Sequence, residues 1–514
     1  MQRRHYKGFH VALTGNIILV FVLSLTISYD HSISNLVMKV PMFTRPGRDS
    51  QLFMLLFAGV LASRIPFIIP GFGVDADAWR VASVAHTIAE TGQYTASRLP
   101  GYPVQELTYA VLPFKNAAIF NLLTAILSAV CVSSYANFLK SVGLKKYLTA
   151  SIALAFIPVV YVNSVNSMDY VWALCFAMLA FSAVGSRRPL VAGLALGMAT
   201  GCRITSAGMV LPMFLMMKRN DVPLRSYGRF AGGFVLSSTI SFLPVVLKYG
   251  ANFFSYSQGN LSCLYILKCC TVDVWGIIGF IAVVVFSVVV FLRLYWRHLF
   301  PVFVRDVANQ ISVLMIVLYT IIFSMAPYDA GYLIPVVPFV ILLIVHNSTP
   351  RRAFAFCCCL ALSSFMFGIS TSDMPWSPKR PVASYTATVG GRAIDVNILR
   401  GPVIDDHIRR IARDVYVARV IDVLSKTEKK SVLVAGLWFA QLSVQLREPI
   451  KDNLGAINSF ETGNVIVHDV LTTEMAARYN NSHYSICYLP GQDKNNESVL
   501  GFNLKNIGAT EIIF

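Results

Sequence analysis

Asp75 and Asp77 stand two residues apart, just beyond an apolar run (51–70) long enough to cross a bilayer. Within the segment 71–106 they are followed by a short helical pattern. A Gly/Pro-rich turn then carries Tyr94, Arg98, Tyr102 and Glu106. A carboxylate at the membrane surface is placed to take a proton from an acceptor hydroxyl or amine that attacks a membrane-tethered donor. One acid has a simpler use, since Asp77 can cap the helix expected over 78–91. Capping does not account for Asp75 as well, because an idle charge beside lipid is costly. Binding of magnesium or manganese by Asp75 and Asp77 is the alternative, because hard cations take carboxylate oxygens.

Arg64, Arg98 and Arg203 form a second group. Arg64 lies near the outer end of the first apolar run, and Arg203 at the tip of a hairpin between two short ones. Such arginines either snorkel to the interface or bind an anion. A guanidinium matches phosphate oxygens bidentately, and a lipid-phosphate leaving group needs its growing charge neutralised. A third group is Asp329 between Tyr328 and Tyr332, ahead of Pro335 and Pro338. It reads equally as a cavity wall or as a polar loop cap. Asn163, Asn166 and Asp169 fall on the same side and carry no specific role.

Apolar runs must position these groups. Of 514 residues, 55% are hydrophobic and 13% charged, with a mean hydropathy of +0.61. Those values describe a polytopic membrane protein. After the first run, others fall at about 117–138, 147–166, 169–186, 189–202, 205–217, 230–247, 274–292, 308–326, 331–346 and 353–371. The fold class expected is therefore mainly α, a transmembrane helical bundle of about eleven spans. Nearly all of the net charge of +17 lies in residues 1–374. Alternate loops are basic (Lys140/Lys145/Lys146, Arg187/Arg188, Arg293/Arg297), which puts those loops inside and 71–115 outside. Such a charge pattern needs no nucleic-acid partner.

Both ends read differently. The run 11–28 would invert this topology if it spanned the membrane. It is a signal-like segment, an interfacial helix or, in the favoured reading, part of an extension 1–41 ahead of a biological start at Met42. Residues 42–372 then form the membrane domain. Residues 373–514 are expected to form a small extracytoplasmic α/β domain after a Pro-rich linker, 373–381. A helix over 403–426 and strands at 431–435, 464–467 and 484–488 build it. It lacks a glycine-rich phosphate loop and reads as a lid or acceptor-positioning domain. Most of the ten cysteines lie in apolar spans, with no metal-type spacing. A disulfide among Cys263, Cys269 and Cys270 requires an oxidising compartment.

The order of features resembles the polytopic type-C glycosyltransferases, the superfamily of protein O-mannosyltransferases and bacterial envelope sugar transferases. The match rests on Asp75/Asp77, Tyr94, the stretch from Ser97 through Arg98 and Tyr102 to Pro103, the hairpin ending at Arg203, and Tyr332-Leu333-Ile334-Pro335. It covers about 50–350 in layout. It departs from the family in two places: the acids are separated by Ala76, and Gly331 stands where an arginine often precedes the Tyr-Leu-Leu-Pro stretch. The resemblance implies an inverting hexosyl- or pentosyltransferase of a plasma or inner membrane. Its donor would be a polyprenyl-phosphate sugar and its acceptor an extracytoplasmic glycan, lipid or protein. The catalytic acid is carried over to Asp77 or Asp75. Arg98, Tyr102, Glu106, Arg203, Arg64, Tyr94, Asp329 and Tyr332 are the expected substrate contacts. The alternative is a transporter or flippase, which more often gathers ionisable residues in mid-membrane within paired halves.

Overall fold

A computed structural model describes residues 48–251, 262–370, 384–389, 392–448 and 458–512. The extension 1–41 and the Pro-rich linker lie outside the described residues. All eleven apolar runs are helical in whole or large part. Among the described residues, five helices are long and apolar enough to cross a membrane, and three shorter apolar helices accompany them. The remaining runs are broken or less apolar helices.

The first long helix, α1 (Arg48–Arg64), leads to the amphipathic helix α2 (Ala76–Thr91) and the short helix α3 (Pro103–Val111). Next come α4 (Ala117–Ser141), α5 (Tyr147–Ala155) and α6 (Pro158–Asn163), then α7 (Tyr170–Gly185) and α8 (Pro189–Cys202). Local chemistry sets the boundaries. Asn116 begins α4 by accepting the N–H of Ile119 at 3.0 Å, and Pro158 occupies the first turn of α6. α2 stops at Gly92, which takes the left-handed conformation, φ 68°, that ends many helices.

The bundle continues through α9 (Val210–Arg219), α10 (Leu224–Tyr249), α11 (Cys263–Cys270) and α12 (Val272–Trp296). α13 (Phe300–Arg305), α14 (Val307–Met325), a 3-10 segment (Ala330–Val336), α15 (Val337–His346) and α16 (Pro350–Phe365) complete it. Glycines let α8 approach α10 closely. A Cβ on Gly193 would lie 2.1 Å from the Phe230 carbonyl oxygen, and one on Gly197 would lie 2.5 Å from the Ser237 Cβ. Small residues at this spacing are how membrane helices pack without a hydrophobic drive between them. The close contact holds Arg203, immediately after α8, against the bundle interior. Cys263, Cys269 and Cys270 lie on or at the start of α11, and all ten cysteines are free thiols.

A three-stranded sheet, β1 (Gly368–Ser370), β2 (Ser384–Val389) and β3 (Arg392–Asn397), follows in the order β1-β3-β2. It straddles the domain boundary expected at 372/373. The helix α17 (Pro402–Ser425) precedes β4 (Ser431–Val434), α18 (Phe439–Leu446), β5 (Ser459–Thr462), β6 (Val465–His468) and α19 (Thr473–Asn481). β7 (Ser485–Tyr488), α20 (Gln492–Leu500) and β8 (Thr510–Glu511) end the chain. The sheet order is β5-β6-β4-β7-β8, parallel except for β5. β4 is buried along its whole length, as a central parallel strand covered by helices on both faces must be. Leu433 packs towards α17 and α18, while Val432 and Val434 pack towards α19.

This α/β unit is fastened to the membrane domain through α17. The buried Arg410 donates to the carbonyl oxygens of Phe67 (2.8 Å), Pro70 (3.1 Å) and Val165 (3.0 Å), and pairs with Asp406 at 3.0 Å. One turn on, Asp414 accepts the backbone N–H of Gly71 and, at 3.0 Å, the Gln441 amide. The amphipathic pattern of α2 predicts a helix lying on the membrane surface. Instead its apolar face, including Val81, Val84, Ala85 and Ile88, is buried under protein, between α3 and α18. The α/β domain supplies the cover that sequence alone would assign to lipid.

Candidate active site

The acids come first. The capping acid of α2 is Asp75, not Asp77: its Oδ1 accepts the N–H of Asp77 at 2.8 Å. The helix starts at Ala76, two residues earlier than the sequence pattern implies, and this moves the cap back by one acid. Asp77 is thereby free to point at cations. Its Oδ1 meets Arg80 at 2.9 Å, one turn along α2, and its Oδ2 is ion-paired with Arg98. The two carboxyls are pushed in opposite directions. Asp75 is exposed, yet partial desolvation by the surrounding protein, then the charge of Asp77, raises its carboxyl above the ordinary value. Burial would raise Asp77 too, but the guanidinium groups of Arg98 and Arg80 outweigh it and hold that carboxyl below the usual range.

Arg98 is gripped from three directions. It pairs with Asp77, donates from Nη2 to the Oδ1 of Asp169 at 2.8 Å, and donates from Nε to the Tyr102 hydroxyl at 2.9 Å. Its guanidinium lies 4.5 Å from the centre of the Tyr102 ring. Asp169, wholly buried at the start of α7, turns its other oxygen to Arg203 Nη1 at 2.5 Å. Arg203 is sandwiched between the Tyr170 and Tyr332 rings, at 4.1 and 4.5 Å. The result is a continuous chain, Arg80–Asp77–Arg98–Asp169–Arg203, reaching from the loop into the bundle. Asp169 is its centre. Sequence reasoning left Asp169 without a role. The available signal was an acid opening an otherwise apolar helix.

A cleft of about 680 Å³ opens over this chain. Asp75, Asp77, Arg80, Arg98 and Tyr102 line one side. Tyr170, Asp329 and Tyr332 line another, with Lys268 and Asp273 from α11 and α12 closing it. Pro158, Val159 and Val162 of α6 add an apolar wall. The mix of apolar wall and few convergent polar groups is typical of a small-ligand site. Asp329 serves as both cap and wall: it accepts the N–H of Gly331 at 2.7 Å and the Tyr170 hydroxyl at 2.9 Å. Gly331 has no room for the arginine often found there in the resembling family. A Cβ would lie 2.4 Å from the Tyr170 ring.

Four expected substrate contacts lie off the cleft surface. Arg203 is 7% exposed and reaches the cleft through Asp169 and Arg98. Glu106 is fully buried and holds the turn together. Its oxygens accept the Tyr94 hydroxyl (2.5 Å), the Ser97 N–H (2.7 Å) and hydroxyl (2.6 Å), and the Tyr102 N–H (3.1 Å). Tyr94 and Glu106 therefore brace the stretch that presents Arg98 and Tyr102. Arg64 is fully buried elsewhere. It donates to Ser63 at 2.7 Å, to Ser164 at 3.1 Å and to the Ala155 carbonyl, and lies 4.0 Å from the Tyr161 ring centre. Its place is a helix junction, neither the interface nor the cleft.

The donor set does not suit a dication. Both oxygens of Asp77 are engaged by guanidinium groups, and one oxygen of Asp75 is engaged by backbone. Among the described residues no group of three or more His, Cys, Asp or Glu side chains has the geometry to hold a metal ion.

No protein-family model matches the sequence, and comparison with curated proteins finds no match. Solved structures do match. ArnT from Cupriavidus metallidurans bound to undecaprenyl phosphate superposes with a TM-score of 0.51 at 12% identity, over 78% of this chain and 85% of that one. The apo state of the same ArnT superposes with the same TM-score and identity, over 84% and 88%. Over most of its length the chain therefore has a fold similar to that of ArnT.

Proposed function

We propose that this protein is a membrane glycosyltransferase that moves a sugar from a polyprenyl-phosphate-linked donor to an extracytoplasmic acceptor. One observation carries the reading. The cleft joins a carboxylate of raised proton affinity to a braced arginine–tyrosine platform, at the loop end of a bundle whose fold neighbour holds undecaprenyl phosphate.

In this reading Asp75 is the general base. Asp77, held by two arginines, is the weaker proton acceptor and fixes Arg98 instead. The acceptor oxygen or nitrogen attacks the anomeric carbon from the side of Asp75, which takes the proton. The bond from that carbon to the phosphate oxygen breaks, and the polyprenyl phosphate leaves with the electron pair. A single displacement of this kind inverts the anomeric centre. Arg98 and Lys268, both on the cleft surface, face the phosphate as it gains charge. The bound carboxylates keep the site from being strongly cationic before the donor enters. No step needs a metal ion.

The test is direct. The protein in lipid nanodiscs should bind undecaprenyl phosphate and transfer label from undecaprenyl-phosphate hexose or pentose to a crude glycolipid or protein fraction. Binding without transfer from any such donor, with movement of intact lipid-linked sugar across vesicles, would turn the reading to a flippase.

The cleft belongs on the extracytoplasmic side, together with the α/β domain fastened to its loop. The basic alternate loops are the motive. Gln93 is exposed at the end of α2, so Gln93→Cys should react with a membrane-impermeant maleimide added outside sealed cells. The signal is read above that of the parent protein, whose Cys263 is exposed. Labelling seen only after permeabilisation would reverse the topology and remove the donor-side argument.

A further inference from the structure

The cations on the cleft surface are each held by an acid: Arg98 by Asp77 and Asp169, Arg80 by Asp77, and Lys268 by Asp273 at 2.7 Å. Arg413 of α17, which does not line the cleft, differs. It is half-buried, yet it makes no hydrogen bond and no ion pair among the described residues. Its guanidinium lies over the Trp438 ring, 4.5 Å from the centre. Stacking of this kind fixes the plane of the group and leaves its N–H edge free to meet a planar anion.

Its position is imposed from both sides. Arg410, one turn earlier, is locked to three carbonyl oxygens around the start of the acid-bearing loop, and Asp414, the next residue, is bound to Gly71. These contacts bring the α/β domain against the loop four residues before Asp75. Burial makes Arg413 hold its proton less tightly, and the charge of Asp75 is the strongest influence opposing this. The guanidinium is half-buried, and its open edge is turned to solvent and not to a carboxylate.

We propose that Arg413 is an anion-recognising residue of the α/β domain, and that the acceptor therefore carries a phosphate or carboxylate group close to the hydroxyl or amine that is glycosylated. This rests on the transferase reading, in which Asp75 marks the acceptor side and Arg98 with Lys268 the donor side. It gives the α/β domain a task beyond covering α2. It selects acceptors by charge, and stacking on Trp438 sets the distance from the anion to the proton acceptor.

The experiment uses the full chain in nanodiscs and three probes: sn-glycerol 3-phosphate, glucuronate and undecaprenyl phosphate. Tryptophan fluorescence follows the two soluble anions, because Trp438 touches the group that binds them, and labelled lipid follows the third. The unaltered protein should bind at least one soluble anion. Arg413→Gln should weaken that binding about 10-fold or more. Arg413→Lys should weaken it less, because lysine keeps the charge and loses the fork. Undecaprenyl phosphate affinity should stay within about twofold in all three proteins.

Absence of soluble-anion binding in the unaltered protein, or equal binding by Arg413→Gln, overturns the proposal. Loss of undecaprenyl phosphate affinity in Arg413→Gln, with soluble-anion binding unchanged, assigns the anion to the donor and also overturns it. If Arg413→Gln loses its cooperative melt, Arg413→Lys decides alone, and an unchanged affinity there overturns it. If the unaltered protein fails to bind undecaprenyl phosphate, it is the transferase reading that falls, and the two soluble probes still judge Arg413 separately.

Discussion

Asp75→Asn should lower turnover by about 100-fold or more, the scale of a positioned general base, while leaving undecaprenyl phosphate affinity nearly unchanged. The side chain has two tasks, and the substitution separates them. Asparagine caps a helix about as well as aspartate, so the bond from the Asp77 N–H survives and α2 should still begin at Ala76. What is lost is the ability to take a proton. Asp77→Asn should behave differently. It removes the charge that Arg98 and Arg80 share, so donor affinity should change along with turnover. The pH profile carries the sign. A base works in its ionised form, and partial desolvation and the charge of Asp77 raise the Asp75 carboxyl. Activity should therefore be lost as pH falls through a value above the ordinary carboxylate range. Asp77→Asn removes one raising influence, so that acid limb should move to lower pH. Near-normal transfer by both variants would leave capping and ion pairing as the whole role of these acids.

Much of the fold was legible because apolar runs and basic loops obey simple length and charge rules. The helix over 403–426 and the strands near 431, 465 and 485 also followed from periodicity, each within about two residues of its place. What the sequence could not give was the cover over α2. An amphipathic face reads the same whether lipid or another domain lies on it. The strands β1 to β3, β5 and β8 were missed because they are short or lack a clear apolar alternation, even though β2 with β3 and β5 with β6 pair as neighbours in the chain.

At the site, Asp75, Asp77, Arg98, Tyr102, Asp329 and Tyr332 line one cleft. Arg64, Tyr94, Glu106 and Arg203 do not. A rare polar residue in an apolar chain marks a place where something must be satisfied, and the partner was protein in each case. The identity of the helix cap turned on where α2 begins, a boundary that pattern reading leaves uncertain by a few residues. Asp169 was hidden for another reason. Its importance lies in joining Arg98 and Arg203, and those residues are 71 and 34 positions away in the chain.

Asp169→Ala should be the most destabilising single change in the cleft region. Asp169 is wholly buried and neutralises two guanidinium groups, at 2.8 and 2.5 Å. Removing one partner from a buried ion pair leaves an uncompensated charge and costs about 3–5 kcal/mol. Arg203 is the group stranded most completely, because Asp169 is its ion-pair partner and three tyrosine rings surround it. Arg98 keeps Asp77 and should be drawn towards it, away from Tyr102. Two effects should then appear together: a melting temperature lower by several degrees, and weaker binding of undecaprenyl phosphate as the platform tilts. Asp169→Asn discriminates between them. It keeps the size and an acceptor oxygen, so much of the packing should survive, but one arginine loses its charge partner. Its stability should lie between the parent and Asp169→Ala, with donor affinity reduced nearly as much as in Asp169→Ala. If Asp169→Asn binds the lipid as well as the parent does, the charge chain serves the fold alone, and Arg98 recognises the donor without help from the bundle.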